Sequence, residues 1–182
     1  MKKLILAEKP SVGRNIAEAL NCKQKKDGYL EGEEYIVTWA YGHLVTLCDC
    51  KDYDEKFALW NFDYFPYIPE KFRYKIKPDD KNKNKEDAGA KKQLMIIKAL
   101  VERPDVESII TATDYDREGE LIALLIFSYI KANKPIKRIL INEWTPQEIK
   151  RGLEALKTNE EMKPLQDAGV SRQLADWIIG IN

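Results

Sequence analysis

Short apolar runs alternate along the chain with longer segments in which apolar residues recur every three or four positions. Three runs, Lys3–Ala7, Val106–Thr113 and Lys137–Asn142, have the length and composition of buried strands. A fourth predicted strand, Tyr35–Ala40, is rich in aromatic and β-branched residues. Because helical patterns lie between and after these runs, the sequence predicts an α/β fold with a mostly parallel sheet flanked by helices.

Helices are predicted by apolar spacing together with start and stop signals. The first begins near Pro10, the second runs from about Ala88 to Glu102, and the third covers residues 119–133. Thr145 is the predicted N-cap of a fourth helix, because a proline and a glutamate follow it at the favoured positions. A last helix is predicted to begin near Pro164.

Composition limits the classes of protein that fit. A length of 182 residues suits one domain, or one domain with part of another. The 30 basic and 30 acidic residues balance, so any nucleic-acid binding must come from local patches. Three cysteines are too few for a disulfide framework, and the longest apolar run is about half of a membrane span. We therefore expect a soluble, cytoplasmic protein without membrane contact.

Four acids lie within seven residues directly behind a predicted strand. Asp114, Asp116, Glu118 and Glu120 belong to the segment IITATDYDREGEL. They can occupy the first turn of a helix, where the helix dipole favours anions, or they can bind a divalent metal ion through oxygen ligands. The segment alone leaves both interpretations open.

A fifth acid and two cations favour the metal site. Glu8 follows the first strand, and the carboxyl ends of parallel strands share one edge of a sheet, where ligands bind. If the two strands are neighbours, Glu8 joins Asp114 and Asp116, and magnesium suits such a carboxylate group. Lys9 and Arg117 add donors for a phosphate. The predicted chemistry is phosphoryl transfer or phosphodiester cleavage.

Six segments carry a resemblance that covers nearly the whole chain. In order, they are LILAEKPSVGRNIAEAL, YGHLVTL, ALWNFDYFPYIPEKF, TATDYDREGELIA, INEWTPQEI and SRQLADWIIGIN. Together they resemble the N-terminal part of bacterial type IA DNA topoisomerases, and the topoisomerase III kind in particular. The resemblance implies a TOPRIM domain, which is Rossmann-like, over residues 1–142, and the start of the central DNA-groove domain over residues 143–182.

The resemblance also implies roles for the acidic residues. Glu8, Asp114 and Asp116 correspond to the family's magnesium ligands, with Mn²⁺ as a possible substitute, and Glu118 completes the Asp-x-Asp-x-Glu motif. Lys9 corresponds to a lysine that assists the leaving oxygen or binds the scissile phosphate. These five residues are the expected catalytic set.

Contacts with DNA are expected at four positions, three of them implied by the resemblance. Trp60 matches a tryptophan of the family, Arg172 and Asp176 match positions that line its single-strand groove, and Arg117 is expected to contact the phosphate. The implied partners are single-stranded DNA and a helicase, in the cytoplasm and at the nucleoid.

Two differences from the family pattern matter. Tyr115 stands where the family usually has proline. None of the nine tyrosines matches the motif of the family's nucleophile, which lies downstream of the last matched segment. We therefore expect an N-terminal fragment that supplies the metal site and part of the groove but does not relax DNA alone. A self-contained TOPRIM nuclease and a non-enzymatic TOPRIM binding module are the alternatives.

Two further features of the sequence each allow more than one interpretation. The sole histidine, His43, suits a packed or hydrogen-bonded residue, or a DNA contact. The segment from Lys71 to Lys77 interleaves cations with aromatic rings, a pattern typical of a single-strand binding strip or of a solvated edge strand.

Overall fold

A computed structural model describes residues 1–59 and 61–182. Its strands and longer helices, in chain order, are β1 Lys2–Ala7, α1 Pro10–Ala19, β2 Gln24–Lys26, β3 Tyr29–Glu31, β4 Tyr35–Trp39, β5 Val45–Leu47, β6 Tyr74–Ile76, α2 Ala88–Val101, β7 Val106–Ala112, α3 Arg117–Tyr129, β8 Ile136–Arg138, α4 Pro146–Glu154, β9 Lys157–Thr158 and α5 Asn159–Ile181.

The main sheet has a parallel centre and antiparallel edges. Its strand order is β2-β3-β4-β1-β7-β8-β9. Strands β4, β1, β7 and β8 run parallel, whereas β2, β3 and β9 pair antiparallel with their neighbours. Ala7 at the end of β1 pairs with Trp39 on one side and with Ala112 on the other. The predicted α/β fold is confirmed, and the carboxyl ends of β1, β4 and β7 lie at one edge.

Two apolar cores cover the two faces of this sheet. Successive side chains of a strand point to opposite faces, and β1 divides accordingly. Leu4 and Leu6 pack with α2 and α3. Ile5 and Ala7 pack with α1 and with Ile149 of α4. This double burial explains why β1 is apolar at consecutive positions, as expected for a parallel sheet covered on both sides.

Three predicted boundaries are wrong. The strand predicted over residues 137–142 spans Ile136–Arg138 only. Helix α3 begins two residues earlier than predicted, because Asp116 caps its first turn. Helix α5 begins at Asn159, five residues before Pro164, because Thr158 and Glu161 form a capping box. The proline therefore lies inside the helix.

Helix α5 contacts both a helix of the main sheet and the aromatic residues Tyr53 and Phe72. It packs against α3, and Gly169 permits close approach to the backbone of Arg117. Further along, Trp177 donates its indole N–H to the carbonyl of Cys48 at 2.9 Å and meets Tyr53 and Phe72 edge to face. Within the described ranges, no helix has the length and apolar character needed to cross a bilayer.

Candidate active site

Strands β1 and β7 bring two predicted site residues into contact. The backbone N–H of Asp114 donates to the carboxylate of Glu8 at 2.9 Å. The Nζ atom of Lys9 lies 3.4 Å from the carboxylate of Asp114, with both side chains about half exposed. Such an exposed pair contributes about 1 kcal/mol of stability at most. The stability that this ion pair adds is therefore too small to explain why these charges lie together.

The acidic segment forms a tight turn before α3. The N–H of Asp116 donates to the carbonyl of Asp114 at 2.8 Å, which places Tyr115 at the apex of a three-residue turn. The carboxylate of Asp116 accepts a 2.6 Å hydrogen bond from the N–H of Gly119 and so caps α3. The helix-start interpretation is thus confirmed for Asp116. Asp114 instead contacts Glu8 and Lys9, and the metal-site interpretation stays a prediction.

Gly119 is required by the tightness of this turn. A Cβ atom at this position would lie 2.9 Å from the nitrogen of Asp114 and 3.1 Å from its carbonyl carbon. No side chain fits there without displacing the turn. The motif therefore needs glycine for the close approach of the turn to α3.

Glu118, in the first turn of α3, meets His43 from the segment after β4. Their Oε1 and Nε2 atoms lie 2.8 Å apart. The interpretation of His43 as a hydrogen-bonded residue is confirmed, and its role as a DNA contact stays a prediction. The contact adds a residue from a third strand end to the site.

Arg138 is a residue of the site that the sequence analysis missed. Its side chain, 2% exposed, lies beneath the acidic turn and donates to the hydroxyl of Thr113 and, at 2.7 Å, to the carbonyl of Asp114. Burial lowers the pKa of this guanidinium, and the nearby carboxylates, chiefly Glu120, oppose that shift. An arginine within an apolar strand was the available signal, since a fully buried cation requires a buried anion.

Glu120 is the matching anion and leaves the acidic group at the sheet edge. Its carboxylate is buried, lies 3.1 Å from Nε of Arg138 and accepts a 2.9 Å hydrogen bond from Gln166 of α5. The four acids of the segment therefore have different roles. Glu120 belongs to the interior, and the other three stay at the edge.

The donor set suits magnesium only in part. Among the described residues, no group of three or more His, Cys, Asp or Glu side chains is arranged to hold a metal ion. Magnesium in enzymes is commonly held by one or two carboxylates, with waters and phosphate oxygens completing its shell. Glu8 and Asp114 supply two carboxylates at this edge, and their role as metal ligands stays a prediction. A ligand role for Asp116, whose carboxylate caps α3, stays a prediction.

The structure describes three of the four residues expected to contact DNA, and each of the three is exposed. Trp60 lies outside the described residues. Arg172 and Asp176 form an exposed 2.7 Å ion pair on α5, one turn apart. Arg117, the first residue of α3, is exposed and forms no ion pair within the described part of the chain. Contact of these residues with DNA stays a prediction.

The cations between Lys71 and Lys77 are largely engaged within the protein. The guanidinium of Arg73 lies over the ring of Tyr53, 4.4 Å from its centroid. Lys75 pairs with both Asp49 and Asp52. Strand β6 pairs antiparallel with β5. This arrangement favours the edge-strand interpretation over a single-strand binding strip.

The sequence of the chain is similar to a known domain family and to known proteins. The family model described as the Toprim domain matches residues 3–144. The chain is 44% identical over 182 residues to DNA topoisomerase 3 of Staphylococcus epidermidis, and 43% identical over 181 residues to DNA topoisomerase 3 of Bacillus subtilis. Each match covers 100% of this chain and 24% of the relative, so the chain spans about a quarter of the length of these relatives.

A solved structure shows the same fold. Full-length topoisomerase I from Thermotoga maritima matches with a TM-score of 0.61 and 23% sequence identity. The match covers 96% of this chain and 24% of that structure.

Proposed function

The chain belongs to the Toprim domain family, and we propose that it is the N-terminal part of an ATP-independent type IA DNA topoisomerase of the topoisomerase III kind. In this proposal the chain supplies a divalent-metal site and part of a groove for single-stranded DNA. Residues 1–142 form the Toprim domain, and residues 143–182 begin the next domain.

One observation carries the proposal. The N–H of Asp114 donates to the carboxylate of Glu8, and Lys9 reaches the carboxylate of Asp114. Two acidic residues and a lysine thus meet where two neighbouring strands end, at the edge of the sheet where α/β proteins bind ligands. This combination suits a phosphate group with a bound magnesium ion.

Each side chain has a proposed task at that edge. Glu8 and Asp114 hold Mg²⁺, or Mn²⁺ in its place, with Asp116 as a further ligand. The ion supplies positive charge next to phosphate oxygens when it is bound. Lys9 donates to the scissile phosphate or to the leaving oxygen, and Arg117 donates to a neighbouring phosphate. Glu118, held by His43, completes the polar wall of the site.

The whole protein is proposed to cleave and reseal one DNA strand. In this proposal the nucleophilic tyrosine belongs to a part of the protein other than these 182 residues, and relaxation of DNA requires that part. Trp60, Arg172 and Asp176 line the single-strand groove. The proposed partners are single-stranded DNA and a helicase, with the protein in the cytoplasm at the nucleoid.

Binding of a fluorescently labelled oligothymidylate by the 182-residue chain tests the proposal. Binding in Mg²⁺ should weaken in Lys9→Gln. The slope of log K against log salt concentration should become shallower by about 0.7, because one contact with a phosphate of a single strand is removed. The matched control is Lys83→Gln, an exposed lysine paired with Asp80. No binding by the unmodified chain would contradict the proposal.

A supercoiled plasmid separates the proposal from the nuclease alternative. With Mg²⁺ and the chain alone, the proposal predicts that the plasmid stays supercoiled. Open circles with free, unattached ends would instead favour a self-contained nuclease that uses metal-activated water.

A further inference from the structure

Tyr115 is exposed to solvent on a turn that a buried side chain holds in place. The hydrogen bond from the N–H of Asp116 to the carbonyl of Asp114 closes the turn around Tyr115. Arg138 donates to the same carbonyl from the interior at 2.7 Å. The backbone that carries Tyr115 is therefore held at its base by a buried side chain, while the tyrosine side chain is 56% exposed.

The ring of Tyr115 is not used in packing. In the part of the chain that the structure covers, it makes no ring–ring contact and its hydroxyl makes no hydrogen bond. A scattered exposed aromatic residue is ordinary on a protein surface. Tyr115 differs because it lies between Asp114 and Asp116, next to the contact between Asp114 and Glu8. An accessible ring thus borders the place where the proposed phosphate would bind.

We infer that Tyr115 is a base-stacking residue that positions the nucleotide next to the phosphate held by Lys9 and the metal-bearing carboxylates. This inference rests on the proposed function and adds a residue to it. Aromatic side chains stack on any base, since every base has a π-face. Tyr115 therefore strengthens binding without selecting a sequence.

The same contact selects single strands over duplexes. Bases in a duplex already stack on their neighbours, and freeing one costs unstacking and unpairing energy. Bases of a single strand are available without that cost. The ring of Tyr115, held next to the site, therefore contributes to a preference for unpaired DNA close to the scissile phosphate.

Binding to two probes of equal charge tests the inference. One is a labelled oligothymidylate, and the other is an oligonucleotide of the same length that consists entirely of abasic residues. For Tyr115→Ala, binding to oligothymidylate in Mg²⁺ should weaken about tenfold, within the roughly 5- to 150-fold range for loss of one base–aromatic stack. Its binding to the abasic probe should match that of the unmodified chain, and Tyr115→Phe should bind both probes normally.

Tyr129→Ala is the matched control. Tyr129 is a partly exposed tyrosine at the far end of α3, about 20 Å along the helix from the acidic turn. Its removal should leave binding to both probes unchanged. A melting temperature of Tyr115→Ala equal to that of the unmodified chain shows that the turn and the fold persist.

Three outcomes would overturn the inference. Tyr115→Ala could bind oligothymidylate as tightly as the unmodified chain, or it could lose affinity for both probes equally. In either case the unmodified chain still binds single strands, so the proposed function stands. If the unmodified chain binds neither probe, the proposed function fails together with the role of Tyr115.

Discussion

Arg138 and Glu120 form an ion pair in the protein interior, with Nε and Oε2 3.1 Å apart and their side chains 2% and 5% exposed. Among the described residues neither atom has a hydrogen-bond partner, because the two atoms are close but poorly aligned. The contact is therefore mainly electrostatic. Its surroundings supply the hydrogen bonds, since Arg138 also holds Thr113 and Asp114, and Gln166 holds Glu120. The pair fixes the acidic turn to the core.

Replacing Arg138 by methionine should destabilise the fold by about 3–5 kcal/mol, because Glu120 would remain as an unpaired buried charge. Arg138→Met with Glu120→Gln should lose less than the sum of the two single changes. Urea unfolding measures both effects. Arg172→Met, which breaks the exposed pair with Asp176, is the control and should cost less than about 1 kcal/mol. Equal losses in Arg138→Met and Arg172→Met would show that the buried pair has no special role.

Gly119→Ala should destabilise the chain by about 1–3 kcal/mol, because the new methyl group would press on the backbone of Asp114. The acidic turn would have to move. The matched change in a helix is Gly180→Ala, where a Cβ meets no atom of the described residues within 4 Å. There the greater helix propensity of alanine gives at most a gain of about 1 kcal/mol. Thermal or urea unfolding compares the two variants. A neutral or stabilising effect of Gly119→Ala would contradict the close approach.

Glu31 makes folding stability depend on pH. Hydrogen bonds from Arg103, and then from Lys2, lower the pKa of this carboxyl below its ordinary value of 4.5. A lowered pKa means that the stabilisation is fully present above about pH 4.5 and is lost as the pH falls through the lower, folded-state pKa. Glu31→Gln should therefore be less stable than the unmodified chain at neutral pH. The difference should shrink in acid.

The free energy of unfolding at a series of pH values from about 7 to about 3 checks this dependence. Glu33→Gln, a nearby exposed carboxylate for which no ion pair is found among the described residues, is the control and should follow the unmodified chain. A difference between Glu31→Gln and the unmodified chain that stays constant over this range would rule out the ion pairs as its cause.

The elements with a regular pattern could be predicted from the sequence, and those fixed by tertiary contacts could not. β1 and α1 follow from an apolar run and a proline start, and the adjacency of Glu8 and Asp114 follows from parallel strands ending at one edge. The burial of Arg138 could not be predicted, because its partner Glu120 lies eighteen positions away on α3 and was grouped with the other acids of the segment. The early start of α5 was missed because its start was predicted from Pro164, whereas the capping box of Thr158 and Glu161 begins the helix.

The site could likewise be predicted from the sequence only in part. Charge and spacing identified the acids, but spacing could not show that Asp116 caps α3 or that His43 reaches Glu118 across the sheet edge. The contact between His43 and Glu118 depends on where the segment after β4 lies. The pattern of apolar and polar residues along the chain does not predict the position of that segment.

The melting temperature of the chain with and without Mg²⁺ tests the central claim, that Glu8 and Asp114 hold a divalent metal ion. A ligand that binds only the folded state raises its stability, so Mg²⁺ should raise the melting temperature of the unmodified chain. Asp114→Asn and Glu8→Gln should each reduce that rise. Without metal, loss of one negative charge from the acidic turn should leave Asp114→Asn slightly more stable than the unmodified chain. Asp80→Asn, in an exposed loop, should keep the full rise. An equal Mg²⁺-induced rise in the unmodified chain, Glu8→Gln and Asp114→Asn would contradict the metal site.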